Sequence, residues 1–196
     1  MLLMIDLFAG LGGASEAMRE RGWEVVRVDI NPECNTDLVM DVRDFLNYWK
    51  SHDGRSPDLL WASPPCDDFS KAEKPWYEED RPSQESLELV KVVFDIVREV
   101  QPRFWILENV RGAQKWLGRA PYHCGAFYLW GWFPFHRLNL PHSVGYFKEK
   151  LFPSPDRKAL RAKVPYKLSL AVALVVEEEL SGKGDLFSQV SVEEAR

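Results

Sequence analysis

The sequence is poor in cysteine. Cys34, Cys66 and Cys124 are scattered over 196 residues and form no Cys-x-x-Cys pair. An odd, dispersed set excludes a disulfide framework and a zinc ribbon. It fits a reducing, cytoplasmic setting. The four histidines, His52, His123, His136 and His142, fall at no ligand spacing, so no metal site is expected. No apolar run approaches the ~20 residues of a membrane span. The opening MLLMIDLFAG goes straight into a strand-like run with no basic region ahead of it, so no export signal is expected. Repeats and low-complexity tracts are lacking too. The chain is 45% hydrophobic, 28% charged and 13% aromatic, the composition of one ordinary globular domain.

The net charge of −5 by itself argues weakly against a nucleic-acid partner, but it conceals a division. From Arg111 to Lys167 there are 11 Lys/Arg and 2 Asp/Glu, a local +9, while the remainder carries 14 basic and 28 acidic residues, or −14. A basic segment set against an acidic one points to a surface that faces a polyanion.

Strand and helix patterns alternate along the first 110 residues. LLMIDLF, at 2–8, reads as a buried strand ending in the glycine-rich turn AGLGGAS, and EAMRERG as a short helix closed by Gly22. WEVVRVDI is a second strand and TDLVMDV a third, short one. RDFLNYWKS is an amphipathic helix. PDLLWAS is a fourth strand that runs into the loop PPCDDFS. Residues 71–82 are polar and read as a mobile loop, SLELVKVVFDIVREV has helical spacing, and RFWILENV is a fifth strand. This alternation predicts an α/β fold, a mostly parallel sheet with helices on both faces. Ligands of such sheets sit beyond the carboxyl ends of the strands, where Gly10, Asp29, Asp41, Cys66 and Glu108 fall. Residues 111–160 are rich in Pro, Gly and aromatics, with strand-like pieces such as FYLWGWF. PYKLSLAVALVVEEEL is a strong helix, and 181–196 reads as a flexible tail.

Four features carry chemistry. The turn DLFAGLGGAS lets backbone amides at a helix start approach a ligand, although it is neither Gly-x-Gly-x-x-Gly nor a P-loop. Asp29 ends the next strand, about 20 residues on, where a carboxylate can accept both hydroxyls of a ribose. Cys66 sits in a loop stiffened by Pro64 and Pro65, and rigidity holds a nucleophile in attack geometry. Glu108 ends a buried strand, an expensive place for a carboxylate unless it is paired or functional.

Together these residues resemble the cytosine carbon-5 DNA methyltransferases. The correspondence runs in order through DLFAGLGG (6–13), VDINPEC (28–34), Asp41-Val42, SPPCDDFS (63–70) and ILENVRG (106–112), with VPYKLSLAVALVVEE as a looser match to the closing motif. The resemblance implies a Rossmann-like S-adenosylmethionine-dependent methyltransferase fold, with S-adenosylhomocysteine as the spent cofactor. Phe8 would lie against that cofactor, and the turn Ala9, Gly10, Leu11, Gly12 and Gly13 would wrap its amino-acid part. Asp29 would hold the ribose, with Ile30 packed on the adenine. Asp41 would bond the adenine amino group beside Val42. Pro64 and Pro65 would line one side of the pocket and Leu89 the other. Cys66 would be the nucleophile, Glu108 would hold the pyrimidine at N3 and its amino group, and Asn109 would orient the Cys66 loop.

Three departures accompany the resemblance. The family's Gln-x-Arg-x-Arg strand is replaced by APYHCGAFYLWG, leaving Arg111, Arg119 and Arg137 as substitutes between which sequence does not choose. Arg161-Ala162-Lys163 stands where the closing motif usually has Gly-Asn. No separate target-recognition domain is expected, which resembles compact phage-like forms. The expectation is therefore one catalytic domain over 1–180, with 111–160 as a reduced nucleic-acid-facing segment. Its sequence specificity is relaxed or supplied by a protein partner. The substrate is expected to be DNA. The same apparatus also serves transfer RNA methylation, and a non-catalytic binding subunit would keep the same fold. An amino-group methyltransferase fits poorly, because its Pro-Pro-aromatic loop is here Pro-Pro-Cys.

Overall fold

In a computed structural model, residues 1–71, 81–141, 144 and 157–182 are described. The chain begins with β1 (Leu3–Leu7), α1 (Glu16–Glu20), β2 (Glu24–Asp29), β3 (Leu38–Val39), α2 (Val42–His52) and β4 (Leu59–Ala62). It continues with α3 (Asp67–Lys71), α4 (Gln84–Val100), β5 (Phe104–Asn109), α5 (Gln114–Leu117), β6 (Tyr122–Cys124), β7 (Phe127–Trp132), α6 (Arg157–Ala162) and α7 (Tyr166–Leu180). The seven strands form one sheet in the order β3-β2-β1-β4-β5-β7-β6. The first five are mutually parallel, and β7 runs antiparallel to both β5 and β6. This is the mostly parallel sheet that the alternating pattern predicts, with the Rossmann-like form that the resemblance implies.

Every residue of β1 and β4 is buried, because helices cover both faces of the sheet. On one face, Met4, Leu59, Trp61 and Ile106 pack with α1 and α7. On the other, Ile5, Leu7, Leu60 and Leu107 pack with α2 and α4. α7 is apolar nearly all round and is buried from Leu168 through Ala173, as a helix wedged against a sheet must be. Ser169, buried within it, donates to the Ala14 carbonyl at 2.7 Å and accepts the Ala17 amide at 3.2 Å, which ties α7 to the turn opening α1.

Two local expectations are corrected. PPCDDFS is a loop only as far as Cys66; the next five residues coil into α3, with acidic Asp67 and Asp68 in the first turn, where free amides favour negative charge, and Phe69 buried beneath. TDLVMDV contributes only Leu38 and Val39 to the sheet. Asp41 instead caps α2, accepting the Arg43 amide at 2.9 Å. The short elements α5, α6 and β6 carry no sequence pattern long enough to announce them. The loop expected over 71–82 lies largely outside the described residues, as do most of the tail over 181–196 and most of 142–156. Among the described residues no helix is long and apolar enough to cross a membrane.

The closing segment presses directly on the glycine turn. A Cβ placed on Gly13 would stand 2.5 Å from the Val164 carbonyl oxygen and 2.7 Å from its amide nitrogen, both backbone atoms that cannot swing away. Gly13→Ala is therefore expected to destabilise the fold by about 2 kcal/mol in a denaturant titration. Wild-type stability in that variant would mean that residues 163–164 do not rest on the turn.

Candidate active site

Strand order reverses between β1 and β4, so the crossovers leave to opposite sides and a crevice opens at the carboxyl ends. β1 leaves the sheet through Phe8, whose φ of +58° lies in the left-handed region that a bulky aromatic residue rarely adopts. Asp29 secures the turn that follows. Its Oδ2 accepts the Gly10 amide at 2.8 Å and its Oδ1 the Asn31 amide at 2.9 Å. Each carboxylate oxygen retains a lone pair for a further donor.

A cleft of about 330 Å³ opens here. Of the residues expected at the cofactor, Phe8, Asp29, Ile30, Asp41, Val42 and Leu89 line it, together with Pro65. Ile30 is 67% exposed, an apolar side chain held in water at the mouth. Ala9, Gly10, Leu11, Gly12, Gly13 and Pro64 lie outside the lining. Asp41 is engaged with its neighbour: the Arg43 guanidinium bonds it at 2.9 Å and holds its carboxyl below the usual carboxylate range. Arg43 itself lines the cleft, as do Val28, Met40, Asp68, Ser83, Glu85 and Ser86, none of which was expected. The one available signal for this wall was Ser83, three residues before Ser86 at the start of an apolar helical pattern. Ser83 does cap α4, accepting the Ser86 amide at 3.2 Å.

The loop and the strand end that carry the catalytic candidates are tied together beside this cleft. Buried Asn109 donates from Nδ2 to the Pro64 carbonyl at 3.1 Å, so the end of β5 grips the loop that carries Cys66. Its Oδ1 accepts the Val110 amide at 2.9 Å, which fixes the side-chain amide from both ends. Cys66 is half-buried, and its carbonyl accepts the Ser70 amide at 3.0 Å as α3 begins. Glu108 is 8% exposed. Burial pushes its carboxyl up to about 7, and only the neighbouring Ser63 hydroxyl opposes the shift. Ser63 is itself oriented by the fully buried Trp61, whose indole N–H donates to Ser63 Oγ at 2.9 Å. Among the described residues no group of three or more His, Cys, Asp or Glu side chains is placed to hold a metal.

The three candidate arginines now separate. Arg137 is ion-paired with Glu178 and Glu179 on α7, and its side chain is only 12% exposed. Arg111 and Arg119 are exposed on the segment that leaves Asn109, with Lys115 between them.

With this geometry in view, the model of one family, C-5 cytosine-specific DNA methylase, matches residues 2–116. The chain belongs to that family. A protein of Frog virus 3 (isolate Goorha) named "Probable DNA (cytosine-5)-methyltransferase" is 32% identical over 117 residues, 54% of this chain and 52% of that one. The type II methyltransferase M.HgiGI of Herpetosiphon aurantiacus is 36% identical over 127 residues, 56% of this chain and 91% of that one. M.HgiDI of the same organism is 34% identical, with 37% of its length covered. The chain thus spans about half or less of two of these three relatives. A solved Entamoeba histolytica methyltransferase, EhMeth, superposes with a TM-score of 0.47 at 15% identity, over 72% of this chain and 56% of that one. The methylase match ends within α5, just beyond the strand that carries Glu108 and Asn109.

Glu108 makes stability depend on pH. Its folded-state value is raised from the ordinary 4.5 to about 7, so the stabilisation from its bound proton is complete below about 4.5 and is lost as pH rises through 7. Buried Asp6, also raised to about 7, acts in the same sense. Glu108→Gln should leave a smaller fall in unfolding free energy between pH 5 and 8, by on the order of 3 kcal/mol. Parallel pH curves for wild type and variant would show that Glu108 titrates normally.

Proposed function

We propose that this C-5 cytosine methylase domain transfers a methyl group from S-adenosylmethionine to carbon-5 of cytosine in DNA, through a covalent adduct at Cys66. The observation that carries this reading is the Asn109–Pro64 hydrogen bond. It joins the strand end bearing Glu108 to the loop bearing Cys66, immediately beside the cleft lined by Pro65 and Asp29.

The cleft suits that cofactor. Asp29 offers carboxylate lone pairs to a ribose, Phe8 and exposed Ile30 offer apolar surface to an adenine, and Asp41 stands at the same wall. Bound there, S-adenosylmethionine supplies an electrophilic methyl group and leaves as S-adenosylhomocysteine. The residues of the chain do the rest. Carbon-5 of cytosine is a weak nucleophile. Addition of the Cys66 thiolate to carbon-6 makes the ring enamine-like and able to attack. Glu108 holds the ring at N3, and a carboxyl near 7 still has a proton to share there at neutral pH. Transfer of the carbon-5 proton to water then re-forms the carbon-5–carbon-6 double bond and expels Cys66 as its thiolate. The base must leave the duplex to reach Cys66 and Glu108. Exposed Arg111, Lys115 and Arg119 beside the site suit the phosphates flanking such a base. We further assign residues 1–180 to one catalytic domain, place it in the cytoplasm in keeping with its three free thiols, and assign sequence choice to relaxed recognition or to a protein partner.

Mixed-sequence duplex DNA, assayed side by side with RNA and labelled S-adenosylmethionine, is expected to yield 5-methylcytosine on nucleoside mass analysis. Cys66→Ser should lower that yield at least about a thousandfold while cofactor affinity stays at the wild-type value. Label appearing only in RNA would move the substrate, and undiminished activity of the serine variant would remove the covalent step. For Asp29→Ala, calorimetry should show S-adenosylhomocysteine binding weakened by about tenfold or more. An unchanged dissociation constant would mean that the ribose is held elsewhere.

A further inference from the structure

Two structures meet at Asp68: the wall of the cofactor cleft and the short helix that leaves Cys66. Asp68 is the second residue of α3, two positions after Cys66, and its side chain lines the cleft together with Pro65, Ser83 and Ser86. A single oxygen, Oδ2, accepts the hydroxyl of Ser83 at 2.5 Å and that of Ser86 at 2.8 Å. Ser83 Oγ in turn accepts the Ser86 amide, capping α4. The carboxylate therefore holds the first turn of α4, the helix whose Leu89 forms part of the same cleft, against the element that carries the nucleophile. The two donated hydroxyls keep the Asp68 carboxyl below its usual range, so the clasp stays anionic at neutral pH. Lys71, one turn on, lies 3.8 Å from the other oxygen.

From this arrangement we infer that Asp68 is a positioning residue that couples occupancy of the cofactor cleft to placement of Cys66. The inference rests on the reading of the cleft as the cofactor site and of Cys66 as the nucleophile. A ligand filling the cleft sets the spacing between its walls. One wall carries Pro65 and Asp68, on either side of Cys66 in the chain, and the other end of the clasp is the start of α4. Anything that fixes α4 in the cleft is passed through Ser83 and Ser86 to α3, and from α3 to the Cys66 loop. Asn109 holds that loop from the opposite side, at Pro64. With the clasp cut, the loop keeps its anchor on β5 but loses its link to the cleft.

The test needs no nucleic acid. The alkylation rate of Cys66 is followed by peptide-resolved mass spectrometry, with and without saturating S-adenosylhomocysteine. In wild type the ligand is expected to slow alkylation at least about fivefold. Asp68→Ala should reduce that effect to less than about twofold and weaken the ligand a few-fold, and Ser83→Ala/Ser86→Ala should reproduce it. Asp68→Asn, which can still accept a hydroxyl, should fall between. Thermal melts confirm that each variant folds. Wild-type coupling in a folded Asp68→Ala protein would overturn the proposal, as would ligand binding to wild type with no effect on Cys66. In both cases the cofactor reading survives. Failure of wild type to bind S-adenosylhomocysteine by calorimetry would instead remove that reading, and the coupling with it.

Discussion

The parallel ladder β2-β1-β4-β5 aligns four carboxyl ends on one rim, and everything that looks functional hangs from that rim. With helices on both faces, the strand interiors are closed to solvent and admit almost nothing polar. Polar chemistry is pushed to the strand ends. The crossovers on either side of β1 and β4 then leave a gap at those ends, since no helix covers the point where strand order reverses. Asp29, the Cys66 loop and Glu108 are the terminal residues of β2, the continuation of β4 and the penultimate residue of β5.

Two buried acids show how strongly this constraint acts. Asp6, 1% exposed, accepts the Ser15 hydroxyl at 2.6 Å beneath the glycine turn, and Glu108 sits beside Ser63 at the rim. Both are pushed up to about 7 by burial. The packing that builds the crevice thus also sets the protonation of two carboxyls buried around it. A carboxyl that would be fully ionised in water is held near the point of half-titration at neutral pH, where it can both give and accept a proton.

The site is held by side-chain clasps as much as by the sheet. Asn109 joins β5 to the Cys66 loop, Asp29 joins β2 to the glycine turn, and Asp68 joins α3 to α4. Each spans elements that lie apart in sequence. Each uses a short polar side chain whose reach leaves little freedom. The basic segment is divided in the same way. Arg137 and Lys163 are taken up in ion pairs with Glu178, Glu179 and Glu16, so the local excess of positive charge that faces outward is smaller than its count in the chain implies.

Sequence alone determined the main strands, the long helices and the residues at the strand ends. Hydrophobic periodicity is local, and Leu3–Leu7, Leu59–Ala62 and Gln84–Val100 each bury what their own pattern dictates. Cys66, Glu108, Asn109 and the glycine turn stand at the strand ends where their short contiguous motifs place them. Tertiary structure decided what motifs do not encode. It turned Asp41 from a strand end into a helix cap, coiled Asp67–Lys71, committed Arg137 to α7 and brought Asp68 onto Ser83 and Ser86. A hydrogen bond between residues 15 or 45 positions apart leaves no periodic trace in the chain, because it depends on where the helices come to rest and not on what lies beside them in sequence.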